Sequence, residues 1–482
     1  MRHLAWYVFF GSLIFHLFGL NQLGRTWDEP FKVDTGYVAW DNLFHGRVGE
    51  EDWTYGLEHP PLAKYIYGSV LPYHLLDITP PIKVDKPTYD RVMNGLWISQ
   101  QFRDHLFMVE YDLTLPRLLS ALASSLAVTL TYLLAVEFNS PLLALVAPLA
   151  LLFSPRYLVM GQLITFESLS VLATVALVYY AFRKRLYLAL LIAALSFWVR
   201  YSNLYSFILL AFILLLTKQK FRYLFLAPVV TFVLGMLLWP LLWHQFPHYL
   251  FQTFLEHQAR GIGPSLYILQ EFLLTTPEPI LFLAFLGIFR SPAYIKAWFF
   301  SAFVFFSLAS VPTGGIRYAI ALYPALALLA VSGASYFDFR RLLPRVVAGL
   351  FLVYLLGSLL VYTPYYLDYY NLLVGGVKGA THRGLAVSWW GEGQREAALY
   401  LKSHVKAGDT IALYVTPQYV FPSTILSGVK LYPYNTGAGE ATYLVVSRDQ
   451  EIPSLTAHYD LLYSAQVAGS VDLVRVYSLH DD

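Results

Sequence analysis

Apolar stretches long enough to cross a bilayer recur from residue 4 to residue 363 of this 482-residue chain. In hydrocarbon every backbone N–H and C=O has to be satisfied internally, so a lone spanning segment is a helix. The expected fold is therefore a polytopic α-helical membrane protein. Charged residues make up only 13% of the chain, about half the share of a soluble domain. The spans are expected at about 4–23, 113–136, 142–154, 158–182, 186–199, 203–217, 223–243, 279–290, 297–311, 317–335 and 344–363, which gives eleven crossings.

The basic residues are distributed unevenly between the loops. Arg183, Lys184 and Arg185, then Lys218, Lys220 and Arg222, Arg290 and Lys296, and Arg340, Arg341 and Arg345 all fall on alternate loops. The positive-inside bias assigns those loops and the N-terminus to the cytoplasm. The opposite face then receives the long loops 24–112 and 244–278 and the C-terminal stretch from residue 364. No small-residue cleavage site follows the first apolar segment, which reads as a retained span. A net charge of +2 does not point to nucleic acid, and the absence of cysteine rules out disulfides, thiol nucleophiles and cysteine metal sites.

Residues 1–363 thus form a transmembrane module and residues 364–482 a small extracytoplasmic α/β domain. There the apolar runs shorten and turn residues increase. Gln394 to Lys406 reads as an amphipathic helix, and Thr410–Val415, Thr442–Ser447 and Val471–Leu479 read as strands.

Candidate chemistry concentrates in the first outer loop. Asp28 and Glu29 follow Trp27, a residue type suited to the interfacial belt, and precede Pro30, which suits a first helical turn. Two readings are open: acids that favour a helix N-terminus electrostatically, or a catalytic pair beside the membrane surface. His59, Pro60 and Pro61 open a second helix, and Lys64 adds a full charge to an N-terminus that already suits an anion. The alternative is a capped helix with a snorkelling lysine. Three single arginines, Arg156, Arg200 and Arg317, occupy outer turns, as interface anchors or as ligands of an anionic group. Glu167 lies within a span, where a carboxylate is costly and needs a partner; Arg156 and Arg200 are the candidates. No metal-ligand cluster is evident, so neither a metal nor a cofactor is expected.

With these residues in view, the chain resembles the dolichyl-phosphate-mannose:protein mannosyltransferase and aminoarabinose transferase group of C-type (GT-C fold) membrane glycosyltransferases, in a prokaryotic branch. The matching pieces are WDEP at Trp27–Pro30, EHPPLAKYIYG at Glu58–Gly68, the arginine-led LPRLLSALASSLAVTLTYLLA at Leu115–Ala135, GIRYAIALYPALALLA at Gly315–Ala330, PYYLDYYNLLVGGVKGA at Pro364–Ala380 and WWGEG at Trp389–Gly393. The resemblance implies that Asp28 is the general base and that Glu29, its neighbour, positions the acceptor or the base. It implies that His59, Lys64, Arg117, Arg156, Arg200 and Arg317 hold a donor phosphate, with Glu167 and Tyr318 also at the substrate. Glu167 stands where many relatives have Asp, and Arg200 where many have Lys.

The expected reaction is transfer of a hexose or pentose from a polyprenyl-phosphate donor to a hydroxyl of a protein, lipid or glycan, in the cell membrane. A single base suits inversion, whereas double displacement needs a nucleophile as well. The alternatives are a transporter or flippase for lipid-linked sugars and a non-catalytic membrane scaffold. Transporters commonly pair two halves with matching broken helices, and no such symmetry is visible. The outer domain is a candidate for acceptor binding.

Overall fold

A computed structural model describes residues 2–53, 59–70, 112–251, 263–310, 314–414, 420–433, 441–448 and 459–479. Much of the long outer loop (54–58 and 71–111), part of the second (252–262), and Val415 at the end of an expected strand lie outside the described residues. The chain divides into two compact units. One comprises residues 1–18, 32–99 and 113–357, and the other holds 19–31, 100–112 and 358–482.

The first unit is helical. Its elements are α1 (Arg2–Leu17), most of α2 (Glu29–Phe44), α3 (Pro61–Gly68), α4 (Thr114–Val136), α5 (Val146–Leu152), α6 (Pro155–Met160), α7 (Phe166–Phe182), α8 (Leu186–Val199), α9 (Tyr205–Leu216), α10 (Arg222–Leu238), α11 (Leu241–Gln245), α12 (Tyr267–Thr275), α13 (Glu278–Ile288), α14 (Ala293–Leu308), α15 (Leu322–Ala334) and most of α16 (Leu342–Tyr362). Among the described residues, His3–Gln22, Thr114–Val136 and Leu342–Tyr362 are long and apolar enough to cross a membrane. The pair α12 and α13 would make a fourth span but is bent by 115°. Seven shorter apolar helices accompany them. Each of the eleven expected spans overlaps one of these segments.

The helices end early for identifiable reasons. The stretch expected as one span over 158–182 is interrupted at Gly161–Thr165. The Thr165 Oγ1 accepts from the Ser168 N–H at 3.4 Å and so caps a new helix, α7, at Phe166. Pro277 stops α12 and starts α13, since proline disfavours a helical residue before it but is tolerated in a first turn. The expected span 317–335 opens as a 3-10 turn, Gly315–Ala319, and becomes α-helical only at Leu322. Small residues bring α13 and α15 together: a Cβ on Gly287 would lie 1.8 Å from the Leu329 carbonyl oxygen.

The second unit contains α17 (Gly376–His382), α18 (Gln394–Lys402) and a five-stranded sheet. The strands are β1 (Thr410–Tyr414), β2 (Lys430–Pro433), β3 (Tyr443–Ser447), β4 (Tyr459–Val467) and β5 (Val471–Leu479), in the order β2-β1-β3-β5-β4. β1 pairs in parallel with β2 and β3, whereas β5 runs antiparallel to β3 and β4. Gln394, Ala397, Ala398 and Leu401 form the buried face of α18, with the spacing of one helical stripe. The helix ends at Lys402, four residues short of the expected boundary, where His404 Nδ1 approaches the Tyr400 carbonyl at 2.8 Å and the chain turns toward β1.

Candidate functional site

The breaks between short helices are where the charged side chains of the helical unit meet. Arg200, directly after α8, donates from Nη1 to Glu167 Oε1 at 2.9 Å, and Glu167 sits in the first turn of α7. Both side chains are buried, at 9% and 5% exposure. Of the two partners considered for Glu167, the structure selects Arg200. Arg156, in the first turn of α6, instead donates to Glu271 Oε2 at 2.6 Å.

The surroundings of Glu167 are rich in cations. The charges of Arg200, Lys32 and Arg317 all act on its carboxylate. Arg317 and Tyr318 lie in the 3-10 turn, and the Arg317 Nη2 donates to the Tyr318 hydroxyl at 2.8 Å. The guanidinium carbons of Arg200 and Arg317 lie 4.7 and 4.8 Å from the centre of the same Tyr318 ring, at cation–π distance. Lys32, on α2, donates to the Ile164 carbonyl at 3.1 Å, and its ammonium lies 5.4 Å from the Phe166 ring. Burying like charges this closely is costly unless an anion compensates them.

The proline-led helix α3 adjoins this group. The His59 ring meets Phe166 edge-on at 4.9 Å, and the Tyr67 hydroxyl donates to the Thr165 carbonyl at 2.6 Å. Lys64 is buried, with its ammonium on the His59 carbonyl and 5.9 Å from the Trp239 ring. It therefore secures the turn that presents His59. Arg117 is buried in the first turn of α4, three residues before Ser120, whose hydroxyl lies 2.9 Å from that of Tyr67.

The Arg156–Glu271 pair is enclosed, at 2% and 3% exposure. Gly315 lies against it, where a Cβ would fall 2.5 Å from Arg156 Nη1; with φ +60 this position suits glycine for both space and conformation. The Tyr267 hydroxyl accepts the Gly315 N–H at 2.9 Å. Beside the break that carries Arg200 lies an apolar cavity of about 440 Å³, bounded by Phe197, Trp198, Leu204, Pro228, Leu242 and Phe246.

Asp28 and Glu29 belong to the second compact unit. Asp28 is partly buried in a turn, and Glu29 is fully buried as the first residue of α2. Glu29 Oε2 accepts the Thr26 N–H at 3.0 Å. This is the carboxylate half of a Thr-x-x-Glu capping box; the Thr26 hydroxyl finds no partner among the described residues. Glu29 thus shapes the turn that carries Asp28.

Sequence reasoning missed Lys32, Asp34, Tyr267 and Glu271. Lys32 and the fully buried Asp34 lie in the helix whose start the sequence placed at Asp28–Pro30, but neither was singled out as a candidate. Glu271 is a lone acid in the apolar run YILQEFLLT, the signal that singled out Glu167.

No protein-family profile matches the chain, and no curated protein matches it. Its fold is that of an α-helical membrane protein with a small mixed-sheet domain, in keeping with the GT-C fold. Among solved structures it is similar over its whole length to ArnT from Cupriavidus metallidurans bound to undecaprenyl phosphate, with a TM-score of 0.51, 15% identity, and 100% of this chain and 97% of that one covered. The apo-state structure of ArnT from the same organism gives a TM-score of 0.48 and 13% identity over 99% of this chain and 98% of that one. ArnT is an aminoarabinose transferase, so the likeness falls in the group to which the sequence motifs pointed.

Proposed function

We propose that this protein is an integral membrane glycosyltransferase that moves a sugar from a polyprenyl-phosphate donor to a hydroxyl of a protein, lipid or glycan acceptor. The observation that carries this reading is the grouping of Arg200, Arg317 and Lys32 around one carboxylate. Cations in that arrangement suit a phosphate, and they would stabilise the negative charge that grows on it as it leaves. The similarity to a structure containing undecaprenyl phosphate supports the same donor class. The apolar cavity begins at residues flanking Arg200 and suits part of a prenyl chain. Eleven crossings would put the N-terminus in the cytoplasm and both Asp28 and the sheet domain on the outer face of the cell membrane.

In the reaction, Asp28 accepts the proton of the acceptor hydroxyl. The hydroxyl oxygen bonds to the anomeric carbon while that carbon's bond to the phosphate oxygen breaks, and polyprenyl phosphate departs with the electron pair. One displacement inverts the anomeric centre, and the protein's own cations serve the leaving group without a metal. Arg156 acts by keeping Glu271 neutralised, and His59 lies at the edge of the phosphate group's surroundings.

The test is turnover of a panel of radiolabelled polyprenyl-phosphate sugars by the purified protein in lipid. One donor should be consumed, its product should carry the inverted anomer, and Asp28→Asn should lower the rate by about 10² to 10⁴. A retained anomer, or full activity in the folded variant, would contradict the mechanism.

A further inference from the structure

The turn that carries Asp28 is held by a segment of the second unit that the mechanism above does not use. Trp27 donates its backbone N–H to the Trp390 carbonyl at 3.3 Å. On the other side of Asp28, Glu29 is fixed by the Thr26 N–H. Asp28 thus sits between two anchored neighbours. The contact surface is close: a Cβ on Gly391 would lie 3.2 Å from both the Arg25 carbonyl oxygen and Trp27 Cδ1, and 2.8 Å from Val420 Cγ1. Gly391 also has φ +99, a conformation open to glycine at little cost.

Residues 388–394 are in turn fastened to the sheet domain. The Ser388 N–H donates to Asp368 Oδ1 at 2.7 Å and its hydroxyl to the Leu473 carbonyl at 3.3 Å. Trp390 is 2% exposed, and its N–H donates to Glu392 Oε2 at 2.8 Å. The far end is tied by Gln394 Nε2 to the Ser447 hydroxyl at 2.8 Å. The chain therefore runs from β5 and β3 through Trp390 to Trp27 without an unanchored stretch.

We infer that residues 388–394 are a strap through which the sheet domain fixes the Asp28 turn, and that Trp390 and Gly391 are positioning residues for the base. This rests on the reading of Asp28 given above. It assigns the domain a part in the chemical step, distinct from binding the acceptor. A base displaced by about 1 Å can lose on the order of 10² in rate with substrate binding intact.

The experiment compares Gly391→Ala with Gly408→Ala in the full-length protein in lipid. Gly408 has φ +98 and nothing within 4 Å of its would-be Cβ, so its variant carries the same backbone strain without touching the strap. Amide hydrogen exchange at Trp27 should quicken roughly tenfold or more in Gly391→Ala, and stay at the wild-type rate in Gly408→Ala. The kcat of Gly391→Ala should fall by about 10² with donor KM unchanged, while Gly408→Ala keeps the wild-type kcat. Should Gly391→Ala not fold, Gly24→Val presses on Arg395 from the loop side, where a Cβ would already lie 3.4 Å from the Arg395 Cβ, and the same changes are expected.

Unchanged exchange at Trp27 would overturn the strap, as would equal effects from Gly408→Ala. Faster exchange with a wild-type kcat, or with a change in acceptor KM alone, would overturn the positioning role. An inert wild-type protein would instead count against the transferase reading, and the exchange rates would then decide the strap alone.

Discussion

Arg156–Glu271 and Arg200–Glu167 are both arginine–carboxylate pairs of the helical unit, at 2.6 and 2.9 Å. Their surroundings differ. Glu271 is paired with Arg156 under Gly315, with both side chains 3% exposed or less. Glu167 has Arg200, Lys32 and Arg317 acting on it, and two of those cations share the Tyr318 ring. A matched buried pair offsets its own desolvation and serves packing, whereas three cations acting on one carboxylate, two of them on one ring, are an arrangement that suits an anionic group. The pairs look alike in sequence, and on the proposed reading only their company separates a structural role from a binding one.

The largest expected effect tests the matched pair. Glu271→Gln removes the charge that Arg156 meets at 2.6 Å inside the protein, and stability should drop by about 3–5 kcal/mol. Thermal unfolding in lipid measures this, and protein that remains folded should keep its affinity for polyprenyl phosphate. A smaller effect is expected on the cation-rich side. Arg317→Ala should lose about 1.5–3 kcal/mol of phosphate affinity, the range for a hydrogen bond to a charged group. Its unfolding temperature should barely move, because Arg317 is only partly buried; titration with polyprenyl phosphate in nanodiscs reads the loss.

The smallest effect lies in the sheet domain and sharpens the contrast from a third carboxylate. Burial pushes the Glu396 carboxyl above its ordinary range, although Tyr365 hydrogen-bonds to it and Arg395 is close. A carboxyl raised in the fold binds its proton more tightly there than in the unfolded chain. Its contribution is therefore fully present below the unfolded value, about 4.3, and is lost as pH rises through the higher folded value. Glu396→Gln should make unfolding of this domain less sensitive to pH across that window, with the variant gaining relative to wild type toward neutral pH. Parallel wild-type and variant curves would contradict this.

How much of this was legible beforehand follows from what each element exposes. β1, β3 and β5 were read from the sequence, and they are the three interior strands of the sheet. β2 and β4, both missed, are its edges. β4 is buried only at Tyr459, Ala465 and Val467, without steady alternation, and β2 is four residues ending in Pro433, which edge strands tolerate. Helix positions were legible from apolar runs, but their breaks were not, since Gly161 and Thr165 are only weak punctuation in an apolar context. Arg200 and Glu167 could be chosen as charges out of place. Their pairing could not, because it depends on where separate breaks meet. Lys32 escaped because long-range contacts, rather than its local sequence, make it part of the group.

The most direct test is the dissociation constant of a polyprenyl phosphate for two double variants compared with wild type. Arg156→Met with Glu271→Met replaces the matched pair by apolar groups of similar volume, a change that is often neutral or stabilising, and binding should match wild type. Arg200→Met with Arg317→Met removes two cations from the Tyr318 ring, and binding should weaken on the order of 10²-fold or more. Equal weakening in both, or wild-type affinity in the second, would contradict the assignment of phosphate binding to the cation-rich group.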